Sequence, residues 1–264
     1  MKRHIFPSVS PFPELVQHHE RDPSRTILID HNLKIEATAG QILHSVALFK
    51  EKVQELLKNN DVCELQQEHN DRYIFMLVPI GWEYIVSMLT ILSLDAAIAP
   101  LSKASRSLVL CTTLIYKLGI VVLPEQAKRY IELAKPLAFL FSSSLAEKAG
   151  VIKGLCGTDD TTLGVTKSFL KIQTYHPHSL DHDTYGIDDS TGDLRQLGSL
   201  FFTSGTSGNP KGVVHSYQAL RASAKERIAT WRLGEKDIVL NQKPGNWMGG
   251  IFGILPALIT GACL

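Results

Sequence analysis

Residues 199–216 contain side chains whose types and spacing could bind phosphate. The segment reads Ser-Leu-Phe-Phe-Thr-Ser-Gly-Thr-Ser-Gly-Asn-Pro-Lys-Gly-Val-Val-His-Ser. Glycines allow backbone N–H groups to approach an anion closely, and successive N–H groups form a concave nest for phosphate oxygens. Threonine and serine hydroxyls add further donors, and Lys211 adds one positive charge on a flexible stem. The segment therefore predicts a loop that binds a pyrophosphate or polyphosphate group.

The spacing of residues in this segment excludes three other glycine-rich loops. A Walker A loop ends in Gly-Lys-Ser/Thr, whereas Lys211 lies between Pro210 and Gly212, which disfavours a P-loop NTPase. The dinucleotide pattern Gly-x-Gly-x-x-Gly is absent because position 203, two before Gly205, is not glycine. The nucleophile elbow Gly-x-Ser-x-Gly is absent because position 209 is asparagine. A flexible Gly/Ser linker would need neither the proline and lysine nor a flanking apolar strand.

The elements that must position this loop begin with a predicted βαβ unit. Residues 73–78 form a short apolar run closed by Pro79, which is typical of a strand covered on both faces. Residues 82–94 are predicted to form a buried helix, and residues 96–99 a second strand that ends at Pro100. The two strands of such a unit are parallel, and its crossover is almost always right-handed.

Further elements are predicted on either side of this unit. Thr38 and Gln41 have the spacing of a capping box, which predicts the start of a helix. Apolar residues then recur at helical spacing on one face: Ile42, Val46, Phe49, Val53 and Leu56. A strand is predicted at 120–123, a polar helix from Glu125, and another strand at 199–202. We therefore expect an α/β fold with mostly parallel sheets flanked by helices.

The overall composition excludes several classes of protein. Of the 264 residues 44% are apolar and 20% charged, a mixture typical of a globular protein with a sizeable core. The formal net charge of +1 gives no global field that would attract nucleic acid or an anionic membrane. The four cysteines form no Cys-x-x-Cys pair, which argues against a structural zinc site and a disulfide framework. No secretory signal or transmembrane segment is predicted, and we expect a cytoplasmic protein.

Residues 174–198 are predicted to form a polar connection, because apolar periodicity is weak in this segment. Imidazole and carboxylate groups are good metal ligands, and four of them lie close together along the sequence: His176, His178, His182 and Asp183. Polar residues on an irregular loop have no defined ligand geometry, so a solvated loop is favoured. No metal site is predicted.

The phosphate-binding segment closely resembles a motif of the adenylate-forming superfamily, which includes acyl-CoA synthetases, luciferases and the adenylation domains of peptide synthetases. The family pattern Tyr/Phe-Thr-Ser-Gly-Thr/Ser-Thr/Ser-Gly-x-Pro-Lys-Gly-Val is matched by residues 202–213 at every specified position. Further segments are similar to the family on both sides of the motif: 12–15, 27–30, 79–84, 231–240 and 243–262. The resemblance covers nearly the whole chain.

This resemblance implies a reaction and a set of site residues. Family members use ATP and Mg²⁺ to convert a carboxylic acid into an acyl-adenylate, and the synthetases then transfer the acyl group to CoA. The residues expected to hold the β- and γ-phosphates are Thr203, Ser204, Gly205, Thr206, Ser207, Gly208 and Lys211. Trp247 and Gly249 are expected beside the acyl pocket, although ordinary core packing of Trp247 is an equal alternative. His215 is expected to be structural, and no catalytic residue is assigned.

The resemblance also implies how the chain is divided. Residues 1–173 are expected to form a first subdomain, 174–198 the polar connection, and 199–264 the start of a second subdomain. The family's adenine-binding segment, ribose-binding aspartate, hinge and C-terminal domain are not found in the sequence. We expect an N-terminal portion of an acyl-CoA ligase with little activity by itself. The alternative is a non-catalytic module that binds polyphosphate or a partner, and a peroxisomal or mitochondrial address is left open.

Overall fold

A computed structural model describes residues 2–59, 72–101, 122–157, 169–172, 183–191, 197–203 and 211–264. The strands are β1 (Arg3–Pro7), β2 (Thr26–Asp30), β3 (Ile35–Thr38), β4 (Tyr73–Leu77), β5 (Ala97–Leu101), β6 (Ala138–Phe141), β7 (Phe169–Lys171), β8 (Thr184–Asp188), β9 (Leu197–Thr203) and β10 (Lys211–Ser216). The helices are α1 (Phe12–Arg21), α2 (Ala39–Asn59), α3 (Trp82–Ser93), α4 (Pro124–Ala134), α5 (Ala146–Cys156), α6 (Tyr217–Trp231) and α7 (Met248–Thr260). Short 3-10 turns occupy Ser143–Leu145 and Asp189–Thr191.

A six-stranded sheet in the order β10–β9–β5–β4–β6–β7 forms the centre of the described fold. All neighbouring pairs from β9 to β7 are parallel, and only β10, at one edge, pairs in the antiparallel sense. Every residue of β4 and of the helix α3 that follows it is buried, as continuous apolar runs predict. The predicted α/β fold with a mostly parallel sheet is confirmed.

Two smaller sheets lie outside the central one. β1 pairs in parallel with β8, and β2 forms an antiparallel hairpin with β3. The predicted capping box is confirmed at the next helix, since the Thr38 N–H donates to Gln41 Oε1 at 2.9 Å and the Gln41 N–H donates to Thr38 Oγ1 at 3.3 Å. The α2 helix then buries its predicted apolar face against α3. No described helix has the length and apolar character needed to cross a bilayer.

Some predicted elements differ from the structure. The strand predicted to end at Pro100 continues through it to Leu101. Proline has no N–H group to donate to a neighbouring strand. The sheet tolerates Pro100 because β5 pairs with β9 only at Ile98 and Ser199, so residue 100 lies beyond the paired part on that side. The prediction of a strand at 120–123 is wrong for residues 122 and 123, which precede α4 without strand pairing. Residues 120 and 121 lie outside the described residues.

The segment predicted to be a polar connection contains a strand. In its described part, β8 adds to β1 in parallel register from Arg3↔Thr184 to Pro7↔Asp188. Sequence patterning missed this strand because its partner β1 lies far away in the sequence, near the N-terminus. The predicted division into subdomains stays a prediction. That division places most of β9 in the second subdomain, and the structure shows β9 in the central sheet beside β5.

A buried carboxylate ties the β2–β3 hairpin to the first turn of α3. Asp30, which is 6% exposed, accepts the N–H of Trp82 at 2.8 Å through Oδ2. Through Oδ1 it accepts the N–H groups of Asn32 at 2.9 Å and Leu33 at 3.0 Å. A Cβ atom on Gly81 would lie 2.3 Å from Asp30 Oδ2, and its φ is +135°, so this approach requires glycine. The negative charge of Asp30 is also stabilised by the positive, N-terminal end of the α3 helix dipole.

Replacing Asp30 by alanine should lower the free energy of unfolding by about 2–3 kcal/mol, because buried N–H groups lose a charged acceptor. Urea denaturation followed by tryptophan fluorescence measures this loss. Asp22 is the matched control, since its exposed carboxylate accepts hydrogen bonds from the neighbouring Ser24, and Asp22→Ala should cost much less. Equal losses in the two variants would contradict the anchoring role of Asp30.

Candidate phosphate-binding site

The phosphate-binding segment lies on the β9–β10 hairpin at the edge of the central sheet. β9 ends at Thr203, β10 begins at Lys211, and these two residues are antiparallel partners. The Thr203 hydroxyl donates a long hydrogen bond of 3.4 Å to the Lys211 carbonyl oxygen. Both residues are exposed. The hairpin therefore brings the two ends of the glycine-rich loop together and presents a hydroxyl and an ammonium group to solvent.

The remaining predicted phosphate ligands lie outside the described residues: Ser204, Gly205, Thr206, Ser207 and Gly208. Their role as ligands stays a prediction. Within the part of the chain that the structure describes, no carboxylate forms an ion pair with the Lys211 ammonium.

Aromatic packing fixes the end of β9 that leads into the loop. The Phe202 ring stacks on Tyr130 of α4, with centroids 3.9 Å apart and an interplanar angle of 2°. It also meets the edge of Phe75 on β4 at 5.9 Å. On the other face of the strand, Phe201 packs at 6.1 Å against the ring of His215 on β10. His215 thus packs against a core strand, as expected for a structural residue. Burial raises the pKa of the Tyr130 hydroxyl.

The α6 helix begins directly after β10 and packs back on β9. The Ser216 hydroxyl oxygen caps the helix by accepting the Ala219 N–H at 3.2 Å. A Cβ atom on Gly198 would lie 2.9 Å from the backbone nitrogen of Tyr217, so glycine lets the helix start close to the strand. The α6 helix contacts β9, β10 and α7, and so connects the hairpin with the segment that carries Trp247.

The two residues predicted beside the acyl pocket lie at the start of α7. Trp247 is the residue that precedes the helix, is half-buried, and donates its N–H to the Pro244 carbonyl oxygen at 3.1 Å. A Cβ atom on Gly249 would lie 3.3 Å from Lys243 Cγ. Among the described residues, no hydrogen bond or ring contact joins Trp247 or Gly249 to the hairpin. Their role in a pocket stays a prediction.

A contact that the sequence did not reveal holds this segment against α3. The buried Tyr84 hydroxyl donates to the Gly245 carbonyl oxygen at 2.7 Å. Burial raises the pKa of Tyr84 far above its usual value, so this side chain remains a hydrogen-bond donor. A Cβ atom on Gly245 would lie 2.2 Å from Tyr84 Cε2, and one on Gly250 would lie 2.6 Å from the Pro244 carbonyl oxygen. Glycine at 245 therefore allows the close approach of the turn to α3, and glycine at 250 allows the start of α7 to pack closely on the same turn.

Gly245→Ala should lower the free energy of unfolding by about 1–3 kcal/mol, because the added methyl group overlaps a buried tyrosine ring. The matched control is Gly154→Ala in the exposed face of α5, where a Cβ atom meets nothing within 4 Å. Alanine is the better helix former, so this control should gain about 0.5–1 kcal/mol. Urea denaturation of both variants provides the measurement, and a neutral Gly245→Ala would show that the turn is not tightly packed on α3.

Thr203 and Lys211 are thus paired and exposed at the edge of a mostly parallel sheet in an α/β fold. The sequence profile of the family described as AMP-binding enzyme matches residues 63–264, and the chain belongs to this family. The proposed resemblance to adenylate-forming enzymes of the acyl-CoA synthetase type is thereby confirmed.

Known proteins of this family are similar to the chain in sequence and fold. It is 29% identical over 252 residues to a CoA ligase of Gibberella moniliformis, covering 95% of this chain and 36% of the ligase. It is 25% identical over 219 residues to the acyl-CoA ligase oryP of Aspergillus oryzae, covering 83% and 34%. The fold is similar to that of a Mycobacterium tuberculosis fatty acyl CoA synthetase, with a TM-score of 0.64, 14% identity, and coverage of 95% and 43%. The chain spans about a third of the length of these curated relatives.

Proposed function

We propose that this chain binds the polyphosphate of ATP in an enzyme that activates a carboxylic acid as an acyl-adenylate and transfers the acyl group to CoA. The observation that carries the proposal is the antiparallel pairing of Thr203 with Lys211, which closes the glycine-rich loop and leaves both side chains exposed. Similarity to proteins named CoA ligase supports CoA as the acceptor.

The chemistry explains why such a loop is needed. A carboxylate oxygen attacks the α-phosphorus of ATP in line, and the bond to the leaving pyrophosphate breaks. Negative charge then accumulates on the pyrophosphate, and a fixed cation with oriented N–H and hydroxyl donors stabilises that charge without reorganisation. In this chain Lys211 supplies the cation and Thr203 one hydroxyl, at the two ends of the loop.

Mg²⁺ enters this proposal together with ATP. Mg²⁺ is usually held by substrate phosphates, water and one or two carboxylates. Among the described residues no carboxylate is paired with Lys211, and we assign no residue of this chain as a magnesium ligand. We also propose that the exposed part of the Trp247 indole and the neighbouring Gly249 face the carboxylic acid, since an aromatic side chain offers apolar contact area to an acyl group.

The whole reaction is proposed for the enzyme, whereas for this chain we propose phosphate binding at the hairpin and contact with the acid at Trp247 and Gly249. The chain spans 36% of the Gibberella moniliformis ligase, so we assign to it the step that its own residues can perform. We expect little or no ligase activity from the 264 residues alone, and a cytoplasmic location belongs to the same proposal. Exchange of pyrophosphate into ATP, catalysed by this chain with any carboxylic acid, would contradict the expected lack of activity.

Lys211→Ala should weaken the binding of ATP and of pyrophosphate by at least about tenfold, because one charge-assisted hydrogen bond to the polyphosphate is lost. Isothermal titration calorimetry with each ligand measures the change. Lys236→Ala, at another exposed lysine outside the hairpin, is the matched control and should bind like the wild type.

The calorimetry tests the phosphate site itself. Binding of ATP that is unchanged in Lys211→Ala would contradict a phosphate site at the hairpin. The alternative, a non-catalytic polyphosphate-binding module, shares this site, so binding that depends on Lys211 is expected for both.

A further inference from the structure

Three side chains that can bind metal meet beside β1 and β8, although they are far apart in the sequence. His4 belongs to β1, His44 to α2, and Asp183 directly precedes β8. One donor atom of each lies within 4.8 Å of the other two. His4 Nε2 is 3.2 Å and His44 Nδ1 is 3.1 Å from the same carboxylate oxygen, Asp183 Oδ2.

These distances fit the spacing of ligands around a small divalent cation. Zinc binds imidazole nitrogen at about 2.0–2.1 Å and carboxylate oxygen at about 2.0–2.2 Å, so neighbouring ligands of a tetrahedral ion lie about 3.3 Å apart. Both distances to Asp183 Oδ2 already have this length. A cation bound to these three atoms would have them as one face of a tetrahedron, with the fourth position left for water.

The carboxylate is oriented so that Oδ2, which forms a hydrogen bond with His4 Nε2 at 3.2 Å, faces both imidazoles. Asp183 Oδ1 accepts the backbone N–H of Lys2 at 3.0 Å, which leaves Oδ2 directed at the two imidazoles. The Thr184 N–H also donates to the Lys2 carbonyl oxygen at 3.1 Å, which fixes the two chain segments together.

The imidazole rings are also held in place. The His4 side chain is only 6% exposed, and its ring stacks on Tyr185 with centroids 6.1 Å apart. The Tyr185 hydroxyl in turn donates to the Gly40 carbonyl oxygen at 3.2 Å. The His44 ring meets His4 edge to face at 6.0 Å. Outer contacts of this kind orient the ligands of known metal sites.

One atom in the cluster lacks a protein partner of suitable geometry. His44 Nδ1 is buried, and it makes no hydrogen bond to a described group, although it is 3.1 Å from Asp183 Oδ2. The short distance without hydrogen-bond alignment means that the two atoms are neighbours but not a good donor and acceptor pair. A buried ring nitrogen without a partner is costly, and a bound cation would satisfy it.

We propose that His4, His44 and Asp183 bind one divalent transition metal ion, with Zn²⁺ as the expected ion. Two imidazoles and one carboxylate suit zinc and its first-row neighbours better than Mg²⁺ or Ca²⁺, which prefer oxygen ligands. The ion links β1, α2 and the start of β8, and therefore cross-links the N-terminal strand to the helix layer. This site is separate in sequence from the phosphate-binding hairpin, and it departs from the sequence-based expectation of no metal.

Titration calorimetry with zinc chloride tests the proposal on the complete 264-residue chain. The wild type should bind one Zn²⁺ ion. His44→Gln and Asp183→Asn should each weaken that binding by at least about tenfold. His31→Gln, at an exposed histidine in the turn after β2, is the matched control and should leave the affinity unchanged. Absence of zinc binding, or equal affinity in all four proteins, would overturn the proposal.

A second measurement needs no variant and so does not depend on how the substitutions affect folding. X-ray absorption spectroscopy of the wild type with one equivalent of Zn²⁺ should show two imidazole nitrogens and at least one oxygen around the ion, without sulfur. Coordination by a cysteine thiolate, or by fewer than two imidazoles, would place the ion elsewhere and refute this site.

Discussion

The antiparallel register of β9 and β10 is the constraint on which the candidate phosphate site depends. It sets Thr203 opposite Lys211, and so determines where a loop of seven residues starts and ends. The register is held because β9 is buried between aromatic side chains, with Phe202 stacked on Tyr130 and Phe201 packed on His215. A slip by one residue would turn these rings to the opposite faces of the strand. The register therefore fixes the place of Lys211 at the edge of the sheet.

The buried helix α3 connects this sheet to two distant parts of the chain. At its first turn the Trp82 N–H binds the carboxylate of Asp30, and within that turn Tyr84 binds the carbonyl oxygen of Gly245. The β2–β3 hairpin and the turn before α7 are thereby attached to one rigid element. Both attachments depend on glycine, because a Cβ atom at Gly81 or Gly245 would overlap the partner side chain. The segment around Trp247 is therefore positioned by its contact with the buried helix α3.

The sequence predicted what is local and missed what is distant. Continuous apolar runs predicted β4 and α3, and the capping box predicted the start of α2, because each signal lies within a few neighbouring residues. The strand β8 was missed because its partner β1 lies 181 residues earlier in the sequence. The same reason applies to Tyr84 and Gly245, which are 161 residues apart, and to the cluster of His4, His44 and Asp183. At the phosphate loop, consecutive residues carry the motif, and sequence was therefore sufficient to propose its chemistry.

The most direct test of a phosphate site at the hairpin is a crystal structure of this chain with a nonhydrolysable ATP analogue. We expect density for the β- and γ-phosphates between β9 and β10, with the Lys211 ammonium in hydrogen-bonding distance of their oxygens. A nucleotide bound at another place on the protein, with no phosphate at the hairpin, would contradict this site.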